Sequence, residues 1–243
     1  MILVDIGNTN IHFAWEENNK IKRSYKLPTA LANFRTINSI LSKTPKEKIL
    51  ICSVVPKINE IFKKTKRDIY IVGEDIKVPI RTFYNKRQVG VDRLVASFCA
   101  LKIYPQARIV IDFGTAITFD FLSKKGDYLG GFILPGIGST FKVFSNCALL
   151  PNKIKFKKTK SFIPKNTRDS INKGIEEGFS LMINSLVKKY KKKLNFYKKV
   201  VITGGDARTI IPKFNFSYIY EPFLIIKGLI FLSKDIKERF CIY

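Results

Sequence analysis

The chain reads as an α/β protein built from two similar halves, each a mixed sheet flanked by helices. Three observations predict this. First, ILVDIGNTNIHFAW (Ile2 to Trp15) and RIVIDFGTAITFDFL (Arg108 to Leu122) share one shape: an apolar strand, a tight polar turn and a second strand. Asp5 matches Asp112 and Gly7 matches Gly114, 107 residues apart, close to half of the 243-residue chain. Second, uninterrupted apolar runs such as Val200-Val201-Ile202 fit strands covered on both faces. Third, helical stretches separate the strand runs, and hairpins mixed with helices argue for mixed sheets.

In the first half the hairpin is followed by a third strand at Lys20 to Leu27 and a helix near Ala30 to Ser42. KILICSVVP (Lys48 to Pro56) is then a buried strand ending in a turn. VGVDRLVASFCAL (Val89 to Leu101) puts Leu94, Phe98 and Leu101 on one helix face, with Asp92 and Arg93 at its start. Pro105 and Gln106 break the pattern, so the division falls between Leu101 and Arg108, giving halves at residues 1–104 and 105–243. In the second half DYLGGFILPG (Asp127 to Gly136) is the third strand. Helices follow near Gly138 to Ala148 and Thr167 to Lys189, and KVVITGGDA (Lys199 to Ala207) supplies the buried strand. Of two lysine-rich stretches, Lys153 to Lys160 reads as an exposed loop or strand. Lys188 to Lys199 reads as a helix end, where lysine complements the negative pole.

Composition narrows the class. Hydrophobic residues make up 46%, with 20 Phe, which supports a sizeable core and excludes a disordered chain. The formal net charge is +25. Such a balance suits anionic partners or the steering of anionic substrates. The excess is mostly Lys, alongside abundant Ile and Asn, so the bias of an AT-rich genome accounts for it as well; nucleic acid is not expected as a partner. Cys52, Cys99, Cys147 and Cys241 are far apart with no CxxC pair, as expected of core thiols in a reducing cytoplasm rather than a metal site. The start lacks a basic n-region, and the apolar stretch Pro222 to Leu232 is interrupted by Lys227 and too short to span a bilayer. A soluble cytoplasmic protein without a membrane partner is expected.

The echoed hairpins carry the chemistry. A nucleoside triphosphate with a divalent ion needs backbone N–H groups at close range, small polar donors and a carboxylate for the metal or its waters. Asp5, Gly7, Asn8, Thr9 and Asn10 supply all three, and Asp112, Gly114 and Thr115 supply a second set. Two such hairpins facing each other would grip phosphates from two sides. Asp, Gly and Asn are also ordinary turn formers; recurrence in matching positions favours the phosphate use. VITGGDA and GGFILPGIG (Gly130 to Gly138) add glycine turns with either reading open. Asp92 is a helix cap or a proton acceptor. Arg93 beside it, opposing the helix macrodipole in the first turn, suits a phosphoryl-transfer site better than a cap.

These stretches, DIGNTN, GVDR, IDFGTA, GG.ILPG and ITGGDA in order, resemble type III pantothenate kinase over essentially the whole chain. The resemblance implies duplicated ribonuclease-H-like halves of the actin and sugar-kinase superfamily. It implies ATP-dependent phosphorylation of pantothenate, the first step of coenzyme A synthesis, by a homodimer requiring Mg²⁺ and a monovalent cation, K⁺ or NH₄⁺. Carried over, Asp5, Ile6, Gly7, Asn8, Thr9, Asn10, Ile11 and His12 resemble the ATP phosphate-binding loop, with Asp5 managing Mg²⁺ indirectly. Gly90, Val91, Asp92 and Arg93 resemble the pantothenate-binding stretch, with Asp92 as general base. Asp112 resembles the monovalent-cation ligand, Thr115 an ATP contact and Thr167 a pantothenate contact. The family's tyrosine seven residues before the GxDR glycine is Phe83 here, with Tyr84 adjacent, and Lys86 replaces the usual proline. The alternatives are a superfamily kinase for another small hydroxyl compound and a non-catalytic transcription-regulator relative.

Overall fold

The computed structural model describes residues 1–44, 47–85, 88–144, 156–157, 159 and 161–240. The first sheet begins with β1 (Ile2–Ile6), β2 (Asn10–Glu17) and β3 (Lys20–Pro28). It is completed by β4 (Ile49–Ser53) and β5 (Ile69–Ile71) in the order β3-β2-β1-β4-β5. β1 and β2 form an antiparallel hairpin, as do β2 and β3, while β4 and β5 add in parallel. The connecting helices are α1 (Phe34–Ser42), α2 (Pro56–Lys63) and α3 (Val91–Ile103). α1 starts later than the predicted Ala30 because Asn33 caps it, its side chain accepting the Thr36 N–H at 3.0 Å.

The second sheet repeats the plan. Its strands are β6 (Ile109–Phe113), β7 (Ala116–Leu122), β8 (Tyr128–Pro135), β9 (Val200–Thr203) and β10 (Tyr218–Tyr220). Their order, β10-β9-β6-β7-β8, is the first sheet's order read from the other edge. β6 and β7 are the antiparallel hairpin, and β9 and β10 add in parallel. Its helices are α4 (Ile137–Phe144), α5 (Thr167–Lys193) and α6 (Ala207–Ile210). The predicted continuation of α4 to Ala148 lies outside the described residues. α5 runs four residues beyond the predicted Lys189, and Lys191 to Lys193 occupy its last turn, where cations meet the negative end of the helix dipole.

The chain divides into two compact units: Met1–Pro105 with Gly126–Tyr128 and Phe223–Tyr243, and Gln106–Lys125 with Leu129–Pro222. The predicted 105–243 half therefore loses its last segment to the first unit. That segment carries α7 (Leu224–Phe240), whose Leu224, Ile226, Leu229 and Ile230 are buried. Three of them, Ile226, Leu229 and Ile230, join a core cluster with Leu3, Cys52 and Phe98. Gly228 makes this packing possible, since a Cβ there would meet the Val95 side chain at 2.6 Å. The other face of the first sheet is filled by Val4, Ile6, Ile11, Phe13 and Phe62. In the second unit the phenylalanine-rich core stacks Phe121 on Tyr190, ring centroids 4.6 Å apart, around Phe113 and Phe119.

Candidate functional site

Strand alternation separates the two roles of the first hairpin. Ile6 and Ile11 point into the core, so any part they take in ligand binding is through backbone. Asp5, one residue away, points to the opposite face. There the register sets it beside Cys52 of β4 on one side and His12 of β2 on the other, with Lys26 of β3 next to His12. Four polar side chains thus form one row across the sheet. Burial lowers the His12 pKa, and the neighbouring Lys26 charge lowers it further, so the imidazole is neutral at pH 7.

Asp92 lies over the same end of this sheet. The N-cap of α3 is Gly90, not Asp92, which sits in the first helical turn and accepts the Arg93 N–H at 2.8 Å. A capping role would lower the carboxyl pKa; burial instead raises it, against the opposing pull of the Arg93 N–H and of the Arg93 charge. Gly90 gives the carboxylate its room, because a Cβ at that position would strike Asp92 Oδ1. The Cys52 thiol locates both acids. Burial pushes its pKa well up, and the charges of Asp5 and Asp92 push it further, so both carboxylates act on one buried sulfur. Arg93 is 6% exposed, its guanidinium 5.8 Å from the centre of the Tyr128 ring. Tyr84 meets the same ring edge-on at 6.2 Å, whereas Phe83 is 69% exposed with Arg81 stacked over it at 4.9 Å.

The turn between β1 and β2 holds Asn8 and Thr9 exposed at the surface. Gly7 N–H donates to the Asn10 carbonyl at 3.0 Å and closes the turn. A Cβ on Gly7 would come within 3.3 Å of that carbonyl, so glycine keeps the turn tight. Thr29, just past β3, donates its hydroxyl to the Gly7 carbonyl at 2.7 Å and its N–H to the Thr9 carbonyl at 2.9 Å.

In the second unit Asp112 takes the ladder position of Asp5, flanked by Thr203 of β9 and Thr118 of β7. Gly204 follows at φ +90°, a conformation that favours glycine, and a Cβ there would strike Asp112 Oδ1 and the Phe113 carbonyl. Thr115 is exposed in the turn, and its carbonyl accepts the Gly136 N–H at 3.0 Å and the Ser139 hydroxyl at 2.7 Å. Asp206 of the GGDA stretch accepts the Gly138 N–H at 3.2 Å. Thr167 opens α5 and lines a groove of about 660 Å³ with Thr140, Phe144, Gly174 and Gly178, all in the second unit.

The structure therefore brings together Asp5, His12, Asp92 and Arg93 in the first unit, and Asp112 and Thr115 in the second. Thr167 stands in the groove. Sequence reasoning missed Thr29, Cys52 as the neighbour of Asp5, Tyr128 and Asp206. Cys52 was discoverable from strand order, being the parallel partner of β1; the others rest on contacts with no local pattern. Among the described residues no group of three or more His, Cys, Asp or Glu could hold a metal by itself. That suits Mg²⁺, which keeps several waters and uses one or two carboxylates with substrate phosphates. Asp112, in close contact with Gly204 and between two threonines, brings a carboxylate and two hydroxyl-bearing residues to one place.

A type III pantothenate kinase family model matches residues 1–189. A type III pantothenate kinase of Sulfurihydrogenibium is 33% identical over 96% of this chain and 99% of its own. Among solved structures, a Campylobacter jejuni chain described as belonging to the Baf family of transcriptional activators is similar at 26% identity and TM-score 0.65. That match covers 98% of this chain and 100% of the other. MreB 5 of Spiroplasma citri, solved with AMPPNP, aligns over 98% of this chain and 97% of its own at 12% identity and TM-score 0.53, a likeness of fold.

Proposed function

The chain belongs to the type III pantothenate kinase family, whose reaction is ATP-dependent phosphorylation of pantothenate in coenzyme A synthesis, and we propose that Asp92 is the general base of that reaction. The observation that carries this is the burial of Asp92 in the first turn of α3, beside the buried Arg93; that burial raises the Asp92 pKa, while its charge, like that of Asp5, acts on Cys52. Its fold is that of the actin and sugar-kinase superfamily, with two duplicated ribonuclease-H-like halves.

In the chemical step the primary hydroxyl of pantothenate gives its proton to the Asp92 carboxylate. The oxygen forms a bond to the γ-phosphorus, and the bond to the bridging oxygen of ADP breaks. Phosphoryl transfer is mostly positioning and charge neutralisation. Asn8, Thr9, Asn10 and the backbone of the first turn would hold the triphosphate, and Asp5 would hold Mg²⁺ beside it. Mg²⁺ supplies neutralisation of charge on the phosphates. Asp112 holds the monovalent cation, and Thr115 meets the nucleotide. Arg93 meets an anionic group of the substrate from a buried position, where a charge-assisted bond is strong. Phe83 packs on pantothenate, and Tyr84 beside it packs edge-on against Tyr128. Thr167 contributes a contact from its groove. His12, neutral, lies beside Asp5 without adding charge.

A homodimer in the cytoplasm fits this reading. The apolar stretch Pro222 to Leu232 and the helix from Thr167 are its candidate interfaces, and the first puts Ile226, Leu229, Ile230 and Leu232 into the core of the first unit. α5 remains, with Leu181 63% exposed and nothing within 4 Å of a Cβ placed on Gly174 or Gly178. No helix among the described residues is long and apolar enough to cross a membrane.

The test is Asp92→Asn. It should retain ATP binding and lose turnover by at least roughly 100-fold, as removal of a general base does. Near-normal turnover would take the role from Asp92. The likeness to the Campylobacter chain favours a second reading, a nucleic-acid-binding regulator. A sequence-selective, steeply salt-dependent DNA affinity in a chain unable to phosphorylate pantothenate would support it.

A further inference from the structure

We propose that Thr29 is the positioning residue of the phosphate hairpin: it draws two carbonyls out of the turn and so aims the turn's N–H groups at ATP. The proposal rests on the reading that Asn8 and its neighbours bind the triphosphate.

A turn that binds phosphate has an electrostatic problem. Each peptide unit that presents an N–H also carries a carbonyl whose negative end repels phosphate oxygens, so the carbonyls need donors elsewhere. In this turn the Asn10 carbonyl accepts the Gly7 N–H at 3.0 Å. Two further carbonyls of the turn accept from one residue. Thr29 Oγ1 donates to the Gly7 carbonyl at 2.7 Å and Thr29 N–H donates to the Thr9 carbonyl at 2.9 Å. The two bonds straddle Asn8, the exposed tip of the turn. Thr29 is half-buried and lies directly after Pro28, the last residue of β3, so the strand fixes where its hydroxyl can point.

The duplication provides an independent observation. Pro135 ends β8 as Pro28 ends β3, and the residue after it, Gly136, stands 107 positions beyond Thr29, the same spacing that relates Asp5 to Asp112. Gly136 N–H donates to the carbonyl of Thr115, in the second turn, at 3.0 Å. The Ser139 hydroxyl, from α4, donates to the same carbonyl at 2.7 Å. In each half the backbone N–H of the residue after the third strand's closing proline therefore ties a carbonyl of the turn, and each half adds one hydroxyl: that of Thr29 on the Gly7 carbonyl, and that of Ser139, from α4, on the Thr115 carbonyl. Gly136 cannot carry a side chain, since a Cβ would strike the Gly114 and Thr115 carbonyls. In the first half the side chain is retained, and its hydroxyl ties a second carbonyl, that of Gly7.

The experiment compares Thr29→Val, which keeps shape and N–H but loses the hydroxyl, with Thr29→Ser, which keeps both donors, and with Asn8→Ala. ATP affinity is read by titration calorimetry, and KM for ATP and for pantothenate by steady-state kinetics. Thr29→Val should raise Kd and KM for ATP roughly 10-fold, the scale of a lost hydrogen bond that leaves a carbonyl unsatisfied. KM for pantothenate should stay within about twofold, and Thr29→Ser should bind ATP like the parent chain. An unchanged ATP affinity in Thr29→Val, an equal loss for both substrates, or failure of serine to restore binding overturns the proposal. If Asn8→Ala weakens ATP binding and Thr29→Val does not, the positioning role alone falls. If both variants bind ATP normally, the phosphate assignment of the hairpin falls with it.

Discussion

A carboxylate is a weak base at pH 7, and burial is what makes Asp92 a stronger one. Its pKa lies above the ordinary carboxylate value because desolvation outweighs the Arg93 N–H and the Arg93 charge. Two consequences have opposite signs. Catalysis needs the ionised form, so the acid limb of kcat/KM should sit above the ordinary carboxylate range, and activity should fall as pH drops through the raised pKa. Folding stability runs the other way. A carboxyl whose folded pKa is raised binds more protons folded than unfolded, so its contribution is lost as pH rises through that window. Asp92→Asn should therefore be at least as heat-stable at pH 7 as the parent chain while losing turnover. A variant both inactive and clearly destabilised would mean that Asp92 is a structural group. Asp92 was legible in the sequence because GVDR opens a helical period. Its pKa was not, since burial comes from what packs over it. The cap reading of Asp92 gives way to Gly90 for the same reason: which residue turns into the helix is decided by backbone angles.

At the scale of elements, the two hairpins were the most legible feature, because alternation and turn chemistry are local signals. The repeated strand order shows why Asp5 and Asp112 match: each stands one residue before the end of its sheet's first strand, between a hairpin partner and a parallel partner. α7 was read only as an apolar stretch, because the packing that decides its unit comes from residues more than 120 positions earlier in the chain. The turn after β9 belongs to the same scale. Gly204→Ala meets a left-handed φ of +90° and two oxygen atoms at once, Asp112 Oδ1 and the Phe113 carbonyl. It should cost about 1–3 kcal/mol in stability and disturb the Asp112 carboxylate. Chemical denaturation, with cation dependence measured on the folded variant, checks both. A fully stable Gly204→Ala with unchanged cation response would remove Asp112 and Gly204 from one site.

For the whole molecule the largest numbers in the sequence say least. The +25 charge gave no partner, and the one block of lysines placed in a helix sits at the end of α5, where the helix dipole accounts for it. The dimer is a sharper matter. On the 27-residue α5, Leu181 stands 63% exposed. Leu181→Glu should convert a dimer into a monomer by analytical ultracentrifugation without lowering the melting temperature of the fold. A wild-type monomer at micromolar concentration would contradict the interface and the dimer together. The most direct test of the central claim is a coupled assay of ADP release with pantothenate or a panel of polyols, run in K⁺ and again in Na⁺. The account predicts ADP release with pantothenate alone, strong in K⁺ and much weaker in Na⁺; phosphorylation of a polyol but not of pantothenate would contradict it.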